Sequence, residues 1–244
     1  MTYCVAMNLV DGLVFVSDSR TNAGVDHIAT FRKLYVFGVP GERLIVLQSA
    51  GNLATSQSVV SLLRQRLHGE GEHLHNVLTM FDAARLVGQT LREVVEHDAA
   101  PGMSAGIDMG CSFLLGGQIA GAQPALFNLY PQGNFISATE DTPYFQIGES
   151  KYGKPILDRA LKYPTDLEHA LRCALISFDS TIRSNLSVGL PLDVLVYRRD
   201  SLDVPQGYRV EEGDAYFESV RGQWCSSLRS LLAELPSAPG FYLD

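Results

Sequence analysis

The chain has 244 residues, of which 46% are hydrophobic and 19% are charged, and its formal net charge is -8. This length allows one large hydrophobic core or two small ones, and the composition argues against a disordered chain. The acidic balance disfavours nucleic acid and anionic membranes as partners. No stretch supplies the roughly 20 consecutive apolar residues of a membrane helix.

The first elements form a hairpin. Tyr3–Val10 is rich in β-branched and aromatic residues, Asp11-Gly12 is a strong two-residue turn signal, and Leu13–Ser17 returns antiparallel. In simple register this hairpin brings the segment 18–22 beside Thr2. Both faces of the two strands are apolar, so we expect the sheet to be covered on both sides.

The remaining pattern predicts strands and helices in separate blocks, with turns at 21–24 and a loop at 99–102. The predicted strands are Lys33–Gly38, Arg43–Gln48, Cys111–Leu115, Ala125–Tyr130, Phe135–Ala138, Phe145–Ile147 and Leu192–Tyr197. The predicted helices are Leu53–Leu67, Val77–His97, Pro155–Leu161, Asp166–Asn185 and Tyr216–Leu235. Blocks of this kind favour a layered α+β fold, here one domain over residues 1–244.

The second helix is predicted to turn one apolar stripe inward. Its members recur at helical spacing, and they are Leu78, Phe81, Ala84, Leu91 and Val95.

The four cysteines predict a reducing environment. Cys4, Cys111, Cys173 and Cys225 form no CxxC pair and have apolar or small neighbours, so we expect buried free thiols in a cytoplasmic protein. Tyr3–Val10 is too short, and lacks the basic leader, for a signal peptide.

Cofactor and metal motifs are missing from the sequence. No G-x-S-x-G, P-loop or dinucleotide fingerprint opens a helix after a strand. The histidines at 68, 73 and 75 lie in a polar, glycine-rich stretch that reads as a loop. We therefore predict no cofactor and no metal.

Thr2 is the residue with the clearest catalytic chemistry. A small residue at this position favours removal of Met1, which would leave a free α-amine beside the Thr2 hydroxyl. One residue would then supply both a nucleophile and its base. An α-amine has a pKa of about 7.7–8.0, so a useful fraction is neutral near pH 7. Taken alone, Met1-Thr2 is a common start, and Thr2 could simply open a strand.

Four elements in order make the pattern specific. Thr2, the segment 17–21 (Ser-Asp-Ser-Arg-Thr), Lys33 and the segment 49–52 (Ser-Ala-Gly-Asn) opening a helix resemble the proteasome β-subunit signature. The stretches SDSRTNAGVDHI, GESKYGKPILDRAL and FDSTIRSNLSVGLPLDVLVYRRD are similar in particular to Anbu, the bacterial ancestral β-subunit family. The resemblance implies a four-layer α-β-β-α Ntn-hydrolase fold along nearly all of the chain.

The resemblance also implies roles for these residues. Thr2 would be the nucleophile, with Lys33 as a nearby cation that favours its deprotonated forms and Asp18 as the partner of Lys33. The Gly51 N–H would stabilise the oxyanion. On residue pattern alone, Asp18 could be a turn former, Lys33 a solvated strand residue and Gly51 a bend.

The lysine comes one residue earlier than in usual proteasome β-subunits. A slip of one residue turns a strand side chain to the other face. Either the loop between Thr21 and Phe31 absorbs the difference, which we expect, or Arg32 and Lys33 have exchanged roles.

Supporting residues match the family less closely. Ser150, Asn185 and Ser187 fall near the positions of its auxiliary Ser and Asp residues, although Glu149 intervenes and Asn185 and Ser187 could instead be helix C-cap residues. Side chains near the predicted oxyanion glycine or in the early turn could line a first substrate pocket. They are Asn22, Gln48, Ser49 and Leu53.

The implied function is hydrolysis of peptide bonds in peptides or unfolded proteins, in a ring or open spiral of identical subunits. An ATPase partner is compatible with the resemblance but is not identified by the sequence. Two alternatives stay open: a self-assembling scaffold or binding module with little turnover, and an amidase that acts on non-peptide substrates.

Overall fold

The structure, a computed structural model, describes residues 2–22, 28–98 and 108–242. Within these residues it contains twelve strands and five helices. The strands are β1 (Tyr3–Leu9), β2 (Gly12–Asp18), β3 (Arg20–Asn22), β4 (Ile28–Thr30), β5 (Leu34–Val39), β6 (Arg43–Gly51), β7 (Cys111–Ile119), β8 (Ala125–Leu129), β9 (Phe135–Ser137), β10 (Tyr144–Gly148), β11 (Leu192–Arg198) and β12 (Tyr208–Val210). The helices are α1 (Leu53–Arg66), α2 (Met80–Asp98), α3 (Lys154–Ala160), α4 (Leu167–Ser184) and α5 (Ala215–Glu234), followed by a 3-10 turn at Gly240–Tyr242.

Most strands belong to two five-stranded antiparallel sheets. The first has the order β10-β1-β2-β11-β12, and the second has the order β5-β6-β7-β8-β9. A small ladder joins β3 to β4. The predicted first hairpin is present, and Cys4 lies opposite Ser17. β1 is therefore an inner strand, bordered by β2 and β10.

Three hydrophobic cores stack the elements in layers. One core joins α1 and α2 to the second sheet, and another joins α3, α4 and Phe217 of α5 to the first sheet. The third core lies between the two sheets. Alternate residues of β1 serve different cores, because Tyr3 and Val5 face the helices whereas Cys4 and Ala6 face the other sheet. This confirms the prediction that both faces of the hairpin are covered.

The predicted inner stripe of α2 is wrong at its beginning. Thr79 caps the helix, since its Oγ1 accepts a hydrogen bond from the Asp82 amide, and the helix begins at Met80. Leu78 is 85% exposed and Phe81 is 58% exposed. Ala84 and Leu91 of the predicted stripe are buried and Val95 packs against the same core, together with side chains that were not predicted, which include Ala83, Val87 and Val94.

Short strands and several boundaries also differ from the predictions. Thr21 and Asn22, predicted as part of a turn, belong to β3, and β4 and β12 were not predicted. Residues 23–27 and the predicted loop at 99–102 lie outside the described residues. Cys4, Cys111 and Cys173 are buried free thiols as predicted, whereas Cys225 is half-buried because α5 lies largely on the surface. None of the helices in the described ranges has the length and apolar character needed to cross a bilayer.

Candidate active site

The hairpin fixes Asp18 beside the start of β1. The Tyr3 amide donates to Oδ1 of Asp18 at 3.0 Å, which is the cross-strand contact expected from the register. Thr2 directly precedes Tyr3 and is half-buried. The hairpin thus holds the Asp18 carboxylate against Tyr3, the residue that follows the predicted nucleophile Thr2.

Asp18 is also bound to Lys33. The Lys33 Nζ atom donates to the same Oδ1 atom at 2.7 Å and to the Arg20 carbonyl oxygen at 2.7 Å. Both charged side chains are buried, and the side-chain exposures are 4% for Lys33 and 0% for Asp18. A pair removed from water in this way interacts more strongly than a surface pair but costs desolvation energy.

Arg32 takes a different place. It is exposed and contributes to a cavity of about 690 Å³, where Arg209 donates to the Asp193 carboxylate at 2.9 Å. Lys33 rather than Arg32 therefore meets Asp18. The loop predicted to absorb the one-residue difference includes residues 23–27, which lie outside the described ranges.

Burial and the neighbouring groups act on the pKa of Asp18 in opposite directions. Burial raises the pKa of Asp18, while the Lys33 ammonium and the hydrogen bonds from Lys33, the Tyr3 amide and the Gly189 amide act to lower it. Cys4 lies close enough to interact with both charges, and burial raises the pKa of its thiol far above the physiological range. Cys4 is therefore protonated and is no competing nucleophile.

Gly51 lies at the end of β6, immediately before the N-cap residue of α1. Its φ of +108° is rarely adopted by other residues, and a Cβ atom there would lie 2.5 Å from the Gly110 carbonyl oxygen. The side chain of the next residue, Asn52, accepts from the Thr55 amide at 3.2 Å and so caps the helix. The Gly51 backbone is exposed at the positive end of a helix, where developing negative charge is favoured.

Glu149 is the site residue that sequence reasoning missed as a functional group. Its amide donates to the Thr2 carbonyl oxygen at 2.7 Å, which places it directly across from Thr2 on the other side of β1. Its Oε1 atom accepts from the amides of Ser150 (2.9 Å) and Lys151 (2.8 Å), and its Oε2 atom accepts from the Asn185 amide group at 2.8 Å. Burial acts to raise the pKa of Glu149, but these hydrogen bonds and the Lys151 charge outweigh it and lower the pKa. The sequence signal for Glu149 was an acidic residue directly after a glycine at the end of a strand.

The predicted supporting residues join this cluster in different ways. Asn185 is the C-cap residue of α4, and its side chain both donates to Glu149 and accepts from the Ser187 amide at 3.0 Å. Ser150 and Ser187 take part through their backbone amides. Ser150 is an exposed residue.

Two glycines allow this close packing. A Cβ atom on Gly148, whose φ is +82°, would lie 2.0 Å from the Thr2 carbonyl oxygen. A Cβ atom on Gly189 would lie 2.3 Å from Cζ of Arg20, and Arg20 also donates to the Leu186 carbonyl oxygen. The segment after α4 is thereby held against the strands that carry Asp18.

The predicted pocket residues lie on several elements. Ser49 is buried in β6, and the Arg64 guanidinium lies over the ring of Tyr35 on the neighbouring strand β5. Gln48 is buried in the same strand as Ser49 and, like Val46 and Ala50, belongs to the face between the sheets. Leu53 opens α1 and is half-buried. Asn22 ends β3, and its side chain lies outside the described residues.

Among the described residues, no group of three or more His, Cys, Asp or Glu side chains is arranged to hold a metal ion. His73 and His75 approach each other with ring centroids 6.3 Å apart, but their partners are local: the His75 amide donates to His73 Nδ1.

In the candidate site, the hydroxyl-bearing residue Thr2 lies between two polar clusters, the Asp18–Lys33 pair and the group formed by Glu149 and Asn185. This arrangement is suited to acyl transfer.

Solved structures share this architecture along the whole chain. Among them are the helical assembly of the Anbu complex from Pseudomonas aeruginosa (64% identity, 98% of this chain and 99% of that chain covered, TM-score 0.96) and Anbu from Yersinia bercovieri (59% identity, 97% and 99% covered, TM-score 0.92). A Gly-1 mutant of Anbu from Hyphomicrobium sp. strain MC1 is 46% identical, with 98% and 100% covered and a TM-score of 0.91. No family model and no curated protein matches the sequence.

These likenesses place the protein in the class of proteasome-like subunits. Identity of 64% over 98% of the chain is sufficient to assign the family. The chain belongs to the Anbu family, the ancestral proteasome β-subunits.

Proposed function

We propose that the protein is an N-terminal threonine hydrolase that cleaves amide bonds in peptides or unfolded protein segments. The two helix-covered sheets are proposed to form the four-layer Ntn-hydrolase fold. The single observation that carries the proposal is the buried Asp18–Lys33 pair, which shares its carboxylate oxygen with the Tyr3 amide directly after Thr2. A buried ion pair is costly and is hard to explain at this position by stability alone.

The mechanism requires removal of Met1. The Thr2 hydroxyl oxygen then attacks the substrate carbonyl carbon, and its proton passes to the Thr2 α-amine. The oxyanion is stabilised by the Gly51 N–H. When the C–N bond breaks, the ammonium returns the proton to the leaving nitrogen. Water then attacks the ester carbonyl carbon and gives a proton to the Thr2 α-amine. The ester C–O bond breaks as the ammonium returns that proton to the Thr2 oxygen, which releases the acid product.

Self-association is supported by the surface of α5. Phe217 is the buried residue of this helix, whereas Leu228, Leu231, Leu232 and Leu235 recur at helical spacing and are between 39% and 68% exposed. An apolar stripe of this kind on one helix indicates a contact with another chain. The P. aeruginosa relative forms a helical assembly, and we propose a homo-oligomer, as a ring or an open spiral, for this chain as well.

Two observations bear on the alternatives. Ser150 is exposed and contacts Glu149 through its backbone amide, which favours an assembly scaffold with weak turnover as the second candidate. The free cysteines support a reducing, cytoplasmic location. A non-peptide amidase would use the same nucleophile, and it would be recognised by preference for acyl amides over peptides.

The test is direct modification of Thr2. Intact mass spectrometry of the purified protein should show loss of Met1, and a threonine-directed electrophile should add once, at Thr2 by peptide mapping. Thr2→Ser should retain the adduct and Thr2→Ala should lose it, with both variants folded by thermal unfolding. A wild-type protein that retains Met1, or that forms no adduct at Thr2, would leave only the scaffold candidate.

A further inference from the structure

The outer edge of β5 borders the cavity of about 690 Å³. β5 is the last strand of its sheet and pairs with β6 alone among the described strands. The Ser49 amide of β6 donates to the carbonyl oxygen of Lys33, which directly precedes Leu34. Because the main-chain groups of successive strand residues point to opposite sides, those of Leu34, Val36 and Gly38 point away from β6. The same three residues line the cavity.

Part of this edge is open to pairing with another strand. Val204 covers the end at Gly38, where a Cβ atom would lie 2.5 Å from the Val204 side chain. Within the described ranges, the outward main-chain groups of Leu34 and Val36 make no backbone hydrogen bond. An unpaired strand edge of this kind is a template to which an extended segment can add.

The cavity carries an excess of positive charge. Three arginines and one aspartate line it, namely Arg32, Arg64, Arg209 and Asp193. Arg209 is paired with Asp193 at 2.9 Å and with Glu211 at 3.1 Å, so its charge is balanced locally. Arg32 and Arg64 are exposed, and neither forms an ion pair with any described residue. Two guanidinium groups are therefore left without an anionic partner.

The two guanidinium groups lie toward different sides of β5. Arg64 lies over the Tyr35 ring, 5.7 Å from its centroid, and Tyr35 packs against the core that contains α1. Burial raises the pKa of Asp193, and the charges of Arg209 and Arg32 act to lower it, so Arg32 lies on the side of the first sheet. Successive side chains of an added strand would point to these two sides alternately.

The cavity also offers acceptors to N–H groups. Oδ2 of Asp193 is buried without a hydrogen-bond partner among the described residues, and Asp193 as a whole is only 7% exposed. Nε2 of His75, which also lines the cavity, is likewise buried and unpartnered, and burial lowers the pKa of this ring. Buried polar atoms are nearly always paired in folded proteins. A peptide brings both N–H groups and carboxylates, whereas inorganic phosphate brings no N–H group.

We propose that the groove between β5 and β12 binds an extended acidic peptide segment, which pairs with the outer edge of β5 and places carboxylates against Arg32 and Arg64. Charge complementarity selects this occupant, because two cations stay unpaired here in a chain whose net charge is -8. The inference is independent of the chemistry at Thr2.

Fluorescence anisotropy with a labelled peptide tests the proposal. The probe has eight residues, with glutamate and valine in alternating pairs, so that an extended strand presents glutamates on both faces. The protein is the full chain with Thr2→Ala, which keeps the probe intact if the wild type cleaves it. At about 150 mM salt, charges beyond about 8 Å are largely screened. We expect saturable binding with a Kd below about 100 μM, and about tenfold weaker binding of the same peptide with glutamine for every glutamate.

One variant tests the charges. Arg32→Gln with Arg64→Gln should raise the Kd about tenfold, because each lost charge pair is worth a factor of a few. The matched control is Arg172→Gln. Arg172 is an exposed arginine on α4 that pairs with Glu168 and lies outside the cavity, so its removal should leave the Kd unchanged.

A second variant tests the backbone pairing. Val36→Pro removes one outward N–H group without breaking a bond to β6, and proline is tolerated on a strand edge in this orientation. Val36→Ala is the control for loss of the side chain, which packs against the core between the sheets. Relative to Val36→Ala, Val36→Pro should raise the Kd about fivefold. If Val36→Pro fails to fold in thermal unfolding, a fully N-methylated probe with the same charges takes its place.

Each contrary outcome overturns the inference in a different way. Equal affinity for the glutamate and glutamine peptides, or no saturable binding, excludes an acidic segment. An affinity that Val36→Pro and N-methylation leave unchanged, with displacement by millimolar inorganic phosphate, indicates a simple anion site. Unchanged peptide affinity in Arg32→Gln with Arg64→Gln, together with a changed sedimentation velocity, makes this edge a contact between copies of the chain. None of these results affects the reactivity expected of Thr2, so the proposed function is tested separately.

Discussion

The Lys33 Nζ atom lies 2.7 Å from Oδ1 of Asp18, and the Tyr3 amide lies 3.0 Å from the same oxygen atom. One carboxylate oxygen thus links the first strand of the chain to a cation that comes thirty residues later. The pair contributes to the stability of the fold and is also proposed to act in the candidate site, so variants are needed that separate these two contributions.

Removal of the cation should be far more costly than removal of both charges. Lys33→Met leaves the Asp18 carboxylate buried without its partner, and we expect the free energy of unfolding to fall by about 3–5 kcal/mol. Asp18→Asn with Lys33→Met should recover much of this loss, because Asn can still accept from the Tyr3 amide. Urea denaturation of the two variants measures the difference. Equal instability of the single and double variants would exclude an uncompensated charge as the cause.

Gly148→Ala should disturb Thr2 directly. The new Cβ atom would lie 2.0 Å from the Thr2 carbonyl oxygen, at a φ of +82°. Gly121→Ala is the matched control, since Gly121 has a φ of +79° and a Cβ atom there would have no neighbour within 4 Å among the described residues.

The control should cost only the backbone strain of about 1–2 kcal/mol. Gly148→Ala should cost at least about 2 kcal/mol more, as clashes in a packed region typically do, and should slow acylation of Thr2. Denaturant unfolding and the acylation rate provide the two readouts. If both variants lose the same stability and keep the same reactivity, the close approach of Gly148 to Thr2 is not required.

Stability should depend on pH through Glu149. Its pKa is lowered in the folded state from an ordinary value of 4.5, because the hydrogen bonds to its carboxylate outweigh burial. The stabilisation is therefore present above pH 4.5 and is lost as the pH falls below 4.5 toward the folded pKa. Thermal unfolding from about pH 6 to about pH 3 should show a steeper fall for wild type than for Glu149→Gln. Glu168→Gln should follow wild type, and parallel curves for wild type and Glu149→Gln would contradict the assignment.

The exposed leucines of α5 should control self-association. Leu231→Glu with Leu232→Glu places two charges in the apolar stripe, and the protein should shift to smaller species by several-fold in mass, as measured by sedimentation velocity. Ser230→Glu is the control, because position 230 lies on the opposite side of the same helix at about 100° per residue. A double variant that sediments like wild type would place the contact between copies elsewhere.

Local patterns were sufficient for part of the site. Asp11-Gly12 closes a two-residue turn, which sets the register of β1 and β2 and brings Asp18 to Tyr3. Lys33 was matched through the resemblance to the proteasome β-subunit signature, because on residue pattern alone it could be a solvated strand residue. Reasoning from local patterns missed the start of α2, because Thr79 caps the helix, and Leu78 and Phe81 were therefore wrongly predicted to be buried.

Glu149 could not be recognised from the sequence because its contact depends on a pairing between distant strands. β10 lies beside β1 although more than 130 residues separate them, and no local pattern indicates which strand borders the first one. The contact with Asn185 adds a second long-range condition, since it requires α4 to end at the same place. β12 was not predicted, because a strand of three residues shows too little alternation of polar and apolar side chains to be recognised.

The position of β10 has a consequence for the order of events during synthesis. The first residues of the chain cannot be enclosed until Glu149 has left the ribosome, and at about 5–20 residues per second this takes roughly seven to thirty seconds. If the proposed mechanism holds, the amino terminus is open throughout that interval to the enzyme that excises methionine. A nascent chain would then be inert during the delay, because the proposed nucleophile and the groups proposed to surround it are not yet in one place.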